Sequence, residues 1–219
     1  MLATLSHDLK NPLSAVLVGA QNLLRLSLPE EAAPRIRRYA EAIQRAGQRM
    51  NDLLRDLLDL ARLDDRTLPL EMKLHSVPDT VDLAVKPWTT AAAARRIDLR
   101  ADVPDGLTIL CDQRRIAQVI GNIVANAVRL SPEGSAVEIS VQPRAGELLF
   151  TVRDEGPGIA AADLTKVLGP YWRGTENPRS GMGVGLPLAA AIVAAHHGRL
   201  WVESTEGSGS TFSFTLPTQ

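Results

Sequence analysis

The chain has 219 residues, 45% of them apolar, enough to bury a sizeable core in one large domain or two small ones. With 24 basic and 25 acidic side chains the formal charge is −1, so neither nucleic acid nor an anionic membrane is favoured as a partner. Cys111, the single cysteine, excludes an internal disulfide and a structural zinc site, and no 18-residue apolar run or signal-peptide pattern occurs; a cytoplasmic chain without membrane contact is expected, alone or as the cytoplasmic end of a longer, membrane-anchored one.

Leu2, Leu5, Leu9, Val16 and Leu23, with Leu13, Leu17, Ala20 and Leu24 widening the stripe, predict a helix over 2–26. Pro12 interrupts it: proline removes one backbone hydrogen bond and crowds the carbonyl four residues back, that of Asp8, next to His7. A helix weakened there can bend beside the histidine. If Leu2 and Leu9 are heptad positions a and Leu5 is d, His7 falls at f, turned to solvent. After the turn-like SLPEEAAP, the series Ile36, Tyr39, Ile43, Ala46, Met50, Leu53, Leu57 and Leu60 alternates steps of three and four, a heptad seam. A lone helical hairpin with so wide a stripe leaves much of it wet, which predicts a homodimer with a four-helix bundle; an ordinary hairpin within a monomer satisfies the same periodicity. Residues 1–65 form this first domain.

DDRTLPLEMK reads as a linker, so 66–76 covers linker and first strand, and 77–219 forms a second domain. Strands are predicted at 70–74, 97–102, 107–110, 136–142, 147–153, 199–204 and 210–216, and helices at 77–94, 112–129, 160–168 and 186–197. VEISV and LLFTV, divided by PRAGE, predict antiparallel pairing. The fold class is α+β, a helical hairpin followed by an α/β sandwich with helices on one sheet face.

Three stretches of the second domain carry chemistry. In DQRRIAQVIGNIVANAVRLS, Asn122, Asn126 and Arg129 share one helical stripe and Ile116, Ile120, Ile123 and Ala127 another, so one face is core and the other offers amides and a cation. Asparagines so placed also serve simply to hold neighbouring backbone groups. The strand ELLFTVRD runs into DEGPGI, which puts Asp154 at a strand end beside Gly156, Gly158 and Ile159; a carboxylate there can accept from an exocyclic amine such as that of adenine, although such a turn is often only a turn. In SGMGVGLPL, Gly181, Gly183 and Gly185 alternate with Met182 and Val184 and run into a helix with Leu186 and Pro187 in its first turn, whose free N–H groups form a natural phosphate site, although a flexible loop without a ligand reads the same. Neither the dinucleotide fingerprint nor the Walker pattern is present. His196 and His197 are adjacent and diverge, and His75 stands alone, so all three read as structural or surface residues rather than metal ligands.

The order of the pieces, SHDLKNPL, a heptad hairpin, NIVANAVRLS, DEGPGI, GMGVGL and GSGSTFSFTLP, resembles the sensor histidine kinases of bacterial two-component systems over essentially the whole chain. The resemblance implies a HisKA-type dimerisation and phosphotransfer domain followed by a GHKL-type ATP-binding domain. It implies His7 as phospho-acceptor, Asp8 as the acid that polarises its imidazole, and Asn11 as the residue orienting a water for dephosphorylation of the partner. Asn126 is then expected to hold Mg²⁺, with Asn122 and Arg129 near the phosphates and Asp154 on adenine; Gly156, Gly158, Ile159, Gly181, Gly183, Val184, Gly185, Leu186 and Thr211 line the nucleotide. The implied function is an ATP-dependent protein-histidine kinase that phosphorylates itself and then an aspartate on a response regulator receiver domain. Two rivals read the same pieces differently: a degenerate kinase acting as a dimeric docking scaffold, and an ATPase that uses ATP only as a conformational clamp. The sequence departs from the family between the glycine boxes, where Leu168 and Tyr171 stand in place of phenylalanines and the lid, 173–180 with Arg173 and Arg179, is short.

Overall fold

The structure, a computed structural model, describes residues 13–14, 16–24, 33–64, 69–169 and 183–218. The chain divides into two compact units, Met1–Thr67 and Leu68–Gln219.

In the first unit, residues 13–14 and 16–24 are helical and α1 runs Ala33–Asp64. Leu13 and Ala20 are buried, as are Ala40 and Gly47 on α1. A Cβ on Gly47 would stand 2.6 Å from Leu17 Cδ2, so the small residue admits the leucine of the facing helix. The predicted seam is not what the single chain buries: Tyr39, Ile43 and Met50 are 63%, 42% and 48% exposed, and Val16 and Leu23 are also exposed. Each helix thus carries two apolar stripes, one turned to its neighbour in the chain and one left in solvent.

The second unit opens with β1 (Lys73–Ser76), which leads into α2 (Val77–Val85), a 3₁₀ turn (Lys86–Trp88) and α3 (Thr89–Ala94). The single helix expected over 77–94 is therefore broken. Pro87 has no N–H to donate and its ring crowds the carbonyl of Leu83, so the chain tightens into i→i+3 bonds, Thr89 N–H to the Lys86 carbonyl among them. Then follow β2 (Asp98–Asp102), β3 (Thr108–Cys111), α4 (Gln113–Leu130), β4 (Ala136–Arg144), β5 (Glu147–Asp154), α5 (Gly185–Ala195), β6 (Arg199–Ser204) and β7 (Ser210–Pro217).

Five strands form one sheet in the order β2-β4-β5-β7-β6, antiparallel except for the parallel β2–β4 pair, while β1 and β3 form a separate antiparallel pair. The predicted β4–β5 hairpin is present, Arg144 facing Glu147 across its turn. One face of the sheet is apolar: Val137, Ile139, Val141, Phe150, Val152, Phe212, Phe214 and Leu216 are buried, and Phe150 stacks on Phe214 at 4.6 Å between ring centroids. α4 and α5 cover that face. The opposite face carries Glu138, Arg153, Thr211 and Glu203 in register across four strands.

The helix expected over 160–168 is absent; that stretch is a succession of turns closed by bonds such as Asp163 N–H to the Ala160 carbonyl at 2.8 Å and Gly169 N–H to Lys166 at 2.8 Å. Only Val167 in it is fully buried, too little anchoring to offset the cost of nucleating a helix in nine residues.

Candidate active site

α4 starts at Asp112, whose Oδ1 accepts the Arg115 N–H at 3.1 Å as an N-cap. Ile116, Ile120, Ile123 and Ala127 are buried as their spacing requires, and Asn122 and Asn126 lie half-buried on the other stripe. Asn122 Nδ2 donates to the Gly185 carbonyl at 3.0 Å, which fastens the middle of α4 to the first residue of α5. Arg129 Nη2 donates to Asn126 Oδ1 at 2.6 Å. At the far end of α4 the guanidinium of Arg95, a residue the sequence reading did not single out, bonds the carbonyls of Val128, Arg129 (2.8 Å) and Ser131 (2.9 Å). It caps the carbonyl end of the helix with a cation, the favourable sign for the dipole.

At one end of the apolar sheet face a row of polar residues replaces the apolar ones. Asp154 on β5 faces Ser210 on β7, which faces Ser204 on β6. Asp154 is 7% exposed. Burial raises its carboxyl above the usual aspartate value, opposed by backbone N–H groups of Gly156 and Ser210; the Gly156 N–H lies 2.8 Å from Oδ1. Ser204 Oγ donates to the Gly209 carbonyl at 2.7 Å, accepts the Ile159 N–H at 2.9 Å, and lies 3.0 Å from Ser210 Oγ. The DEGPGI loop is thereby laced to the ends of β6 and β7.

Two glycines make this lacing possible. Gly158 has φ +73° and a Cβ there would stand 2.1 Å from the Thr205 carbonyl oxygen; Gly209 has φ +82° and its Cβ would meet the Asp154 carbonyl oxygen at 2.1 Å. Gly156 brings the loop against the end of α4, its added Cβ falling 3.6 Å from the Leu130 carbonyl. Gly183 also has positive φ, Val184 is buried, and α5 begins at Gly185 with no side chain capping it, which leaves first-turn N–H groups to an anion. Leu186 is half-buried in that first turn.

Thr211 lies apart from these residues. Side chains alternate along a strand, so Thr211 shares its face with Arg153 and Glu203, on the side of the sheet opposite Asp154. Ser210, not Thr211, is the β7 residue that faces Asp154; Ser204 and Ser210 are absent from the predicted site, although each is a polar residue where the inner-face pattern calls for an apolar one. His7, Asp8, Asn11, Gly181 and the lid with Arg173 and Arg179 lie outside the described residues.

His196 is 3% exposed and structural, as its lack of convergent partners predicts: its Nδ1 lies 2.8 Å from the Ile192 carbonyl and its Nε2 accepts the Asp112 N–H at 3.0 Å. Burial of Cys111 pushes its thiol up to about 11, far from a reactive thiolate. Among the described residues no cluster of His, Cys, Asp or Glu is arranged to hold a metal ion, and no helix is long and apolar enough to cross a membrane.

Both units are matched by known protein families. The family of histidine kinase-, DNA gyrase B- and HSP90-like ATPases matches residues 111–219, and the His Kinase A (phospho-acceptor) domain matches residues 1–66. The chain belongs to the sensor histidine kinases of bacterial two-component systems. Among histidine kinases, the sensor-like histidine kinase SenX3 of Mycobacterium tuberculosis is 33% identical over 99% of this chain and 53% of its own length. The histidine protein kinase DivJ of Caulobacter vibrioides is 31% identical over 99% of this chain and 36% of its own. Full-length ShkA, a solved structure in complex with AMPPNP, superposes with a TM-score of 0.84 at 28% identity, covering 99% of this chain and 45% of that one. The chain thus spans about half the length, or less, of these three proteins.

Proposed function

We propose that this chain is the ATP-dependent core of a protein-histidine kinase, which phosphorylates His7 and passes the phosphoryl group to an aspartate on a response regulator. The observation that carries the nucleotide reading is Asp154: a buried carboxylate at a strand end, with two of about four lone-pair positions taken by the backbone N–H groups of Gly156 and Ser210. It suits the exocyclic amine of adenine and repels the carbonyl that guanine presents at the same position. Asn122 holds the start of α5 where its first-turn N–H groups and dipole meet phosphate oxygens, and Arg129 adds a cation.

Mg²⁺ fits the donors present. It prefers oxygen ligands and is usually held by one or two protein groups together with substrate phosphates, so an amide oxygen without a carboxylate cluster suffices. Asn126 would supply that oxygen, at present engaged by Arg129, whose guanidinium is then released toward the phosphates. The ion would neutralise charge on the transferring group.

In the first unit, which the phospho-acceptor domain matches, His7 attacks the γ-phosphorus through a ring nitrogen; the N–P bond forms, the P–O bond to ADP breaks, and the ring loses its proton. Asp8 holds the other ring nitrogen, and Asn11 supports removal of phosphate from the regulator. The exposed stripe of Tyr39, Ile43 and Met50 supports homodimerisation, since a seam of that width is covered when two hairpins pair. The scaffold reading is disfavoured because Asn122, Asn126, Asp154 and the glycine loops are all retained.

Purified chain with Mg²⁺ tests the nucleotide reading. ATP should bind, GTP should compete poorly, and a phosphorylated sample should lose its label to an isolated receiver domain. A folded chain that retains no adenine nucleotide contradicts the proposal.

A further inference from the structure

The buried pair of Asp112 and His196 is not part of the proposed nucleotide site, yet it joins α4 to α5, the helices that carry Asn122 and Gly185. Along α4 the N-cap Asp112 and Asn122 are ten residues apart, about 15 Å at 1.5 Å per residue; along α5 their partners Gly185 and His196 are separated by a similar length. The two helices run in opposite directions and are bonded at both ends of their contact. One bond, Asn122 to Gly185, lies in the nucleotide site; the other, the Asp112 N–H to His196 Nε2, lies at the remote end.

The side-chain polar atoms of both residues are committed. The imidazole is held as the tautomer with its proton on Nδ1, donated to the Ile192 carbonyl, so Nε2 is free to accept. Asp112 Oδ1 caps α4 through the Arg115 N–H, while Oδ2 accepts the Glu71 N–H at 3.0 Å. Glu71 lies just ahead of β1, on the segment through which the chain leads into the second unit.

We propose that Asp112 and His196 are positioning residues for the nucleotide site, the remote anchor of a two-point clamp that fixes α5 against α4 and ties the segment at Glu71 to it. With the remote bond intact, α5 cannot pivot about the Asn122–Gly185 bond, and the glycine loop ahead of α5 keeps its place relative to the asparagines. The inference rests on the nucleotide reading for its effect on binding, while the clamp itself is a property of the chain without ligand.

The test uses the full chain with three substitutions. His196→Leu removes both bonds; His196→Gln keeps an acceptor that can reach the Asp112 N–H; Val141→Ala, in the sheet core, is a control for general destabilisation. At a temperature where all are folded, His196→Leu should weaken ATP binding about tenfold, the scale of one lost buried hydrogen bond, and His196→Gln should restore most of it. Val141→Ala should leave binding unchanged. Without nucleotide, amide exchange at Leu188 and Ala189, about two turns from residue 196, should quicken in His196→Leu and not in the control. Unchanged exchange there overturns the clamp, whether or not the chain binds ATP; unchanged ATP affinity in a chain that binds it overturns the positioning role. A wild-type chain that binds no ATP contradicts the nucleotide reading, and exchange alone then decides the clamp.

Discussion

Asn122 bonds through its side-chain amide to the carbonyl of Gly185, across the line between α4 and α5, at 3.0 Å. An asparagine that holds backbone and one that serves a ligand are the two uses open to this residue type, and here the first prepares the second. Asn122→Ala should cost about 1 kcal/mol of stability, a typical net value for one hydrogen bond, and weaken ATP binding. Asn122→Asp should do worse on both, because it sets a carboxylate against a carbonyl oxygen. Urea unfolding and nucleotide titration of the two variants check the order.

Asp154 predicts opposite signs for binding and stability. Burial penalises its charge, so its folded value lies above the unfolded one; the stability it contributes is full only below the unfolded value and is lost as pH rises through the folded one. At neutral pH, Asp154→Asn should therefore leave the unfolding midpoint unchanged or raise it, since the amide oxygen still accepts the Gly156 N–H. ATP affinity should fall about 10- to 100-fold, the worth of a hydrogen bond to a charged group, with discrimination against GTP reduced. Loss of stability alongside loss of binding would argue against a ligand-facing carboxylate.

His197 follows the C-cap of α5 with φ +61°, a left-handed conformation that suits glycine at that position. His197→Gly should stabilise the second unit by up to about 1 kcal/mol and leave nucleotide binding alone. A thermal melt and an ATP titration together check it.

Burial lowers the pKa of His196, partly offset by its bond to Ile192 and by the charge of Asp112, while His197 adds to the lowering. The unfolded chain, with histidine near 6.5, then binds more protons than the folded one in the window below that value. Stability should be insensitive to this residue above pH 6.5 and decline as pH falls from 6.5 toward the folded value. Urea midpoints at pH 8, 6.5 and 5.5 should fall more steeply in the wild type than in His196→Gln; equal slopes would show that His196 takes up protons alike in both states.

What the sequence makes legible follows from periodicity and punctuation. The strands from β2 to β7, the two helices on one sheet face and the core stripe of α4 are all set by local patterns, and the break in the helix expected over 77–94 is written in Pro87 itself. Register between remote strands is different. Nothing in GSGST tells which of Ser210 and Thr211 faces Asp154, because that parity is settled only when β7 pairs with β5. The same limit governs α1: its apolar residues form two stripes, and the choice of Ala40 and Gly47 for the inner contact depends on a leucine thirty residues away. Arg95 and Ser204 act through backbone groups of distant segments, for which no spacing rule exists.

The account stands most directly on the chemistry at His7. Full-length chain incubated with γ-labelled ATP and Mg²⁺ should acquire one label per chain that is stable to base and labile to acid, and the label should be absent from His7→Gln while that variant still binds ATP. A wild-type chain that binds ATP and remains unlabelled, or a His7→Gln chain labelled like the wild type, would contradict it.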